Sequence, residues 1–269
     1  MSTSADIRQL ALCALAACEP TSKLAAMAAL KALRDVSPRL CFDAIDADPM
    51  RGEFAAPPRV APGALPRRNP GQVAGRAALI HAIAHIEYSA IDLALDHALR
   101  FGGMPAAYYA DWLDVASEEA YHFELLRGHL LTLGSDYGDF PVHDGLWQMA
   151  QKTAGDVLVR MAMVPRLLEA RGLDATPPIQ RKLAAAGDTD AVRLLDIILA
   201  DEEGHVRLGD TWYRHLCAER GVDAEPLFRQ LIDQYKGPWP QTPMNESARL
   251  AAGFSRVELD ELTARQRTR

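Results

Sequence analysis

Apolar residues recur every three or four positions through most of this chain, the spacing of buried helix faces, and no stretch alternates as a half-buried strand does. Four long helices are predicted in the middle. The first spans Gln72 to Arg100 and is stopped by Phe101-Gly102-Gly103. The second opens at Pro105 and runs to Leu133, before Gly134. A loop rich in turn residues, Gly134 to Gly145, follows. The third helix is expected from about Leu146 to Arg171, ending at Gly172, with a kink where Pro165 sits inside it. The fourth, capped by Asp188 or Thr189, extends to Arg220 and stops at Gly221.

Shorter helices flank this block. One runs from about Ser4 to Ala17, and a second, following Pro20, carries Leu24, Met27, Leu30 and Leu33 at helical spacing. Six prolines between Asp48 and Gly71 disfavour helix and central strand alike, which makes that segment an extended surface connector. The tail offers a helix near Glu225 to Tyr235, a Pro-rich turn at 237–243 and a last helix from Asn245. The expected organisation is accessory helices over 1–47, the connector over 48–71, a four-helix bundle over 72–221 and accessory helices over 222–269. The fold class is all-α.

Chemistry enters through charged residues set in apolar stripes. The second long helix holds Glu119-Ala-Tyr-His122 and the fourth holds Glu202-Glu-Gly-His205; in each, the i to i+3 spacing puts Glu and His on one face. Glu87 precedes the first motif by 32 residues and Glu169 precedes the second by 33, each on the preceding helix. The unit "Glu, then Glu-x-x-His" therefore occurs twice, as two αα-hairpins that together make four helices. The rows around Glu87 contain Ile80, Ile83, Ala84, Ile91 and Ala94, and those around Glu119 and His122 contain Trp112, Val115, Phe123 and Leu126. Burying isolated carboxylates is expensive. Four of them with two imidazoles in one core suit a pair of cations, iron first and manganese second, and this ligand set is the general signature of dinuclear carboxylate bundles. The candidate ligands are Glu87, Glu119, His122, Glu169, Glu202 and His205. Glu169 has the least regular stripe and could instead pair with Arg166 on the surface.

The sequence resembles the ferritin-like superfamily of dinuclear, di-iron carboxylate proteins, and within it the bacterial family catalogued as domain of unknown function 455. The stretches AHIEYSAIDLALD (84–96), DWLDVASEEAYHFELL (111–126), YGDFPVHDGLW (137–147), VPRLLEARGLD (164–174) and DEEGHVRLGDTW (201–212) carry the likeness, which extends from about Arg67 to Phe254. It implies a ferritin-like four-helix bundle with extra N-terminal and C-terminal helices and a metal site at the same six residues. It implies no substrate. The di-iron hydroxylases of tRNA modification are more remotely similar, by ligand pattern alone.

Other residues are assigned blander roles. His81 and His85 fall far round the helix from Glu87 and read as a polar face or a contact with the tail. Tyr88, Tyr121 and Tyr213 read as helix-packing residues, and Gly155, Gly204 and Gly209 as points of close helix approach or of space for a ligand. The four cysteines, Cys13, Cys18, Cys41 and Cys217, form no CxxC pair, which fits a reducing cytoplasm. Leu15-Ala16-Ala17-Cys18 resembles a lipoprotein cleavage box, but Asp6 offsets Arg8 ahead of it and a packed helix is the better reading. No unbroken apolar run nears the ~20 residues that span a bilayer. The 29 basic against 36 acidic residues leave a formal charge of −7, which disfavours nucleic acid as a partner. The functional expectation is an O2-dependent di-iron oxidase or oxygenase acting on a small molecule, with a homodimer as the candidate assembly. The alternatives are an iron-binding ferroxidase without organic substrate and a tRNA-modifying hydroxylase.

Overall fold

A computed structural model describes residues 4–36, 50–53, 56–65 and 69–266. Cys41, Pro49, Pro66 and the Arg67-Arg68 pair lie outside the described residues. Among the described residues the chain is all-α; its one β-type pairing is an isolated bridge between Arg59 and Val142. Two compact units are present, Met1–Trp147 and Gln148–Arg269.

The first unit is built on α1 (Ser4–Ala16), α2 (Pro20–Val36), α3 (Val73–Arg100) and α4 (Ala106–Thr132). Helices α3 and α4 pack against each other, with α1 also on α3 and α2 also on α4. Helix α1 buries Ile7, Ala11, Ala14 and Leu15, as a packed helix should. The α4 helix ends where Gly134 adopts a φ of 77°, which lets Ser135 N–H reach back to the Leu130 carbonyl at 3.2 Å. By length and mean hydropathy of 1.3, α3 could cross a membrane, but 78% of that window is buried inside the fold. It is a core helix that carries polar groups on several sides.

Several of those polar groups have partners of their own. Asp92 accepts from Lys23 at 2.5 Å and from Arg51 at 2.7 Å, and Lys23 also donates to the Ala14 carbonyl at 2.7 Å. Asp96 pairs with Arg100 at 2.8 Å. His81 and His85 are buried rather than lying on a polar face, and they meet the 134–145 loop. His81 Nε2 accepts from Gly138 N–H at 2.9 Å, and His85 Nδ1 bonds the Tyr137 hydroxyl at 2.8 Å. Burial, with Arg51 nearby, pushes the His85 pKa down to about 3, so its imidazole is neutral. The connector is pinned to the same loop: Val60 N–H donates to the Val142 carbonyl at 2.8 Å and Arg51 pairs with Asp144 at 2.8 Å.

The third long helix departs from expectation. Helix α5 (Gly145–Lys152) ends early, because the Thr153 hydroxyl bonds back to the Met149 carbonyl at 2.9 Å. Asp156 then caps α6 (Val157–Met163), accepting from Leu158 N–H at 2.8 Å. The expected kink at Pro165 is instead a π-turn, Val164–Glu169. A proline lacks its N–H and crowds the carbonyl one α-turn back, and the wider π-turn relieves that clash. Nor does the helix stop at Gly172: α7 spans Ala170–Ala185, through Pro177 and Pro178. Pro177 leaves the Leu173 carbonyl without its i+4 donor, and the Asn245 side-chain amide supplies one at 3.2 Å. Leu173 and Leu183 are buried as α7 packs on α8 (Thr189–Glu219).

The tail closes the second unit with α9 (Ala224–Gln234), α10 (Glu246–Ala251) and α11 (Arg256–Gln266). The Tyr213 hydroxyl donates to the Ala224 carbonyl at 2.7 Å, a packing role as expected. Tyr88 is buried as well, against Phe123 at 5.0 Å between ring centroids, whereas Tyr121 is 49% exposed and packs no core. Of the three glycines noted in sequence, Gly155 and Gly204 have open space around the missing Cβ; Gly209 does not, since a Cβ there would stand 2.5 Å from Pro165 Cβ. Gly209→Ala is therefore expected to destabilise the chain by about 1–3 kcal/mol through overpacking. Thermal unfolding checks this: a fall of ~2–4 °C per kcal/mol is expected.

Candidate metal centre

Glu87 lies on the buried face of α3, and Glu119 and His122 lie one helical turn apart on the buried face of α4. The α3–α4 pairing brings the three together. His122 Nδ1 is 3.4 Å from Glu87 Oε2 and 3.4 Å from Glu119 Oε2. Those separations exceed the roughly 2.7–2.9 Å of a close charge-assisted hydrogen bond, so two carboxylates flank one ring nitrogen without closing on it.

The donor set passes a simple geometric test for a cation. One ligand atom from each of the three residues lies within 4.8 Å of the others. Such a triangle has a centre about 2.8 Å or less from each corner, and contraction by under ~1 Å reaches the bond lengths of about 2.0–2.2 Å made by metal-bound carboxylate or imidazole. Two hard oxygens and a borderline nitrogen suit a divalent metal ion.

The second unit carries the other three candidates. On α8, His205 Nδ1 stands 3.9 Å from Glu202 Oε1; the imidazole is buried and the carboxylate 14% exposed. Glu169 closes the π-turn and is half-buried. Its suggested surface partner, Arg166, is instead buried in ion pairs with Asp210 at 2.6 Å and Glu258 at 2.7 Å. Burial opposes the Arg166 charge, but the two carboxylates outweigh it and keep the guanidinium protonated. The sequence did not reveal this trio, because no periodic pattern connects Arg166 to a residue 92 positions later. An arginine directly after a mid-helix proline, in an otherwise apolar stretch, is the one sequence signal of it.

The model of the family described as "Protein of unknown function (DUF455)" matches residues 16–260. The chain belongs to that family. The DUF455 match reaches further toward the N-terminus than the likeness read from motifs, taking in α2, and it includes all six candidate ligands. A protein of Haemophilus influenzae (strain ATCC 51907 / DSM 11121 / KW20 / Rd) titled "Uncharacterized protein" is 51% identical over 208 residues, 75% of this chain and 72% of its own length. No solved structure matches.

Electrostatics at this DUF455 site yields a test in the metal-free protein. Burial lowers the His122 pKa, but the Glu119 and Glu87 carboxylates beside the ring outweigh it and push the value up to about 11. A folded pKa above the unfolded ~6.5 gives stability that is fully present below pH ~6.5 and declines as pH rises toward the folded value. The unfolding free-energy difference between the metal-free chain and its His122→Gln variant should therefore shrink from pH 6 to pH 10. Urea titrations at both pH values check this; a constant difference would contradict it.

Proposed function

We propose that this chain is a dinuclear metal carboxylate protein, with iron as the first candidate and manganese the second, and that it works as an O2-dependent oxidase or oxygenase on a small molecule. In this reading α3, α4, the α6–α7 segment and α8 form a ferritin-like four-helix bundle. Glu87, Glu119 and His122 supply one half of the ligands, and Glu169, Glu202 and His205 the other half. The observation that carries the proposal is the convergence of Glu87, Glu119 and His122, all buried, around a space of ligand dimensions. The repeat of "Glu, then Glu-x-x-His" supports it, since each unit holds one copy on paired helices.

The residues have distinct tasks in such a site. The carboxylates would hold the cations and balance their charge. His122 must release its proton to bind, so loading should be proton-coupled. Glu87, Glu119 and His122 are themselves buried, which keeps bulk water from the site. Two ferrous ions in this setting would supply electrons to O2 and thereby oxidise an organic substrate.

Metal analysis of protein isolated without oxygen tests the proposal, followed by O2 uptake with added reductant. Two ions per chain are expected. Glu119→Ala and Glu202→Ala should each reduce that to one or none with far-UV circular dichroism unchanged. Two ions retained in both variants would overturn the assignment. Iron oxidation with no organic product from any small-molecule panel would move the reading to a ferroxidase.

A further inference from the structure

We propose that Arg166 is a positioning residue for Glu169, and that the C-terminal helix α11, through Glu258, is part of the clamp that sets it. The inference rests on Glu169 being a metal ligand, as proposed above. It is drawn from the way the π-turn is held. A π-turn is a rare departure from α-geometry, and here its surroundings hold it. Three of its first four residues are pinned from different directions. Pro165 is pressed against Gly209 of α8, where no Cβ would fit. Arg166 Nε donates to Asp210 of α8 at 2.6 Å and its NH2 to Glu258 of α11 at 2.7 Å. The guanidinium carbon also lies 4.0 Å from the ring centroid of Phe228 and 4.5 Å from that of Phe254. Leu167 abuts Gly237, where a Cβ would meet Leu167 Cδ2 at 2.7 Å.

Glu169 follows two residues after this pinned segment. Its direction of approach is inherited from the turn, because one extra residue per turn rotates everything beyond it by about 100° relative to an α-helix. Arg166 and Glu258 are both fully buried, as is the contact between them, so the clamp is not a surface ion pair that solvent can screen. Gly253, with a φ of 98°, passes so close to Asp210 that a Cβ would be 2.5 Å from Asp210 Oδ2. The backbone leading into α11 is thus packed on the same carboxylate that holds Arg166.

The test uses Co(II) alone, titrated into the full-length metal-free chain and followed by stoichiometry and d–d absorption. Glu258→Gln keeps the shape and removes one charge; Arg166→Lys keeps the charge and loses the two-pronged donor. Leu183→Ala, a buried change near the far end of α7, is the control for general destabilisation, compared with the others by the Tm each shows. Both clamp variants are expected to weaken one of the two Co(II) ions by about 10–100-fold and to shift its d–d bands toward those of Glu169→Ala, with the other ion unaffected. Leu183→Ala should leave affinity and spectrum as in wild type. Wild-type binding in both clamp variants, while Glu169→Ala alters it, would overturn the proposal and leave the ligand assignment standing. So would a Leu183→Ala effect equal to theirs. If Glu169→Ala itself changes nothing, the ligand assignment fails at Glu169 and the clamp proposal with it.

Discussion

A carboxylate inside a packed helical core must meet positive charge, and most of the unusual features of this protein follow from that requirement. Helix α3 illustrates it. Asp92 draws in Lys23 from α2 and Arg51 from the connector, and so ties segments far apart in sequence to one point on the core. Asp96 uses Arg100 one turn away. Glu87 instead shares a single cationic group, the His122 imidazolium, with a second carboxylate, Glu119. The proposed cations would supply the positive charge that one imidazolium between two acids does not.

The second unit applies the requirement in the opposite sense. Arg166 is a buried cation, and two acids, Asp210 and Glu258, come from separate helices to match it. Removing one partner from such a group leaves an uncompensated buried charge, typically a loss of about 3–5 kcal/mol. The C-terminal helices are thereby tied to the π-turn that carries Glu169, instead of being an independent extension. The N-terminal helices are tied to α3 through Lys23 in a comparable way.

Much of the architecture was legible in the chain. The apolar spacing set the limits of α3, α4 and α8 to within a residue or two, because long amphipathic helices with glycine stops carry their own boundaries. The third helix was misread where tertiary contacts replaced local rules. Thr153 and Asp156 break it before α6, while Asn245 carries it past Pro177 by donating to the Leu173 carbonyl from 72 residues away. The irregular stripe around Glu169 has the same origin: α-periodicity was applied across a turn that is not α.

By itself, then, the sequence determined which residue types share a helical face: Glu119 with His122, Glu202 with His205, and Glu87 in an apolar row. Helix periodicity is a local property, and three residues of spacing suffice to read it. Only the tertiary structure decided the partners of the buried charges. It put Lys23 on Asp92, His85 on Tyr137 and Glu258 on Arg166. Those choices depend on which segments meet after the chain has folded, and charge matching between distant segments leaves no periodic trace in the order of the residues.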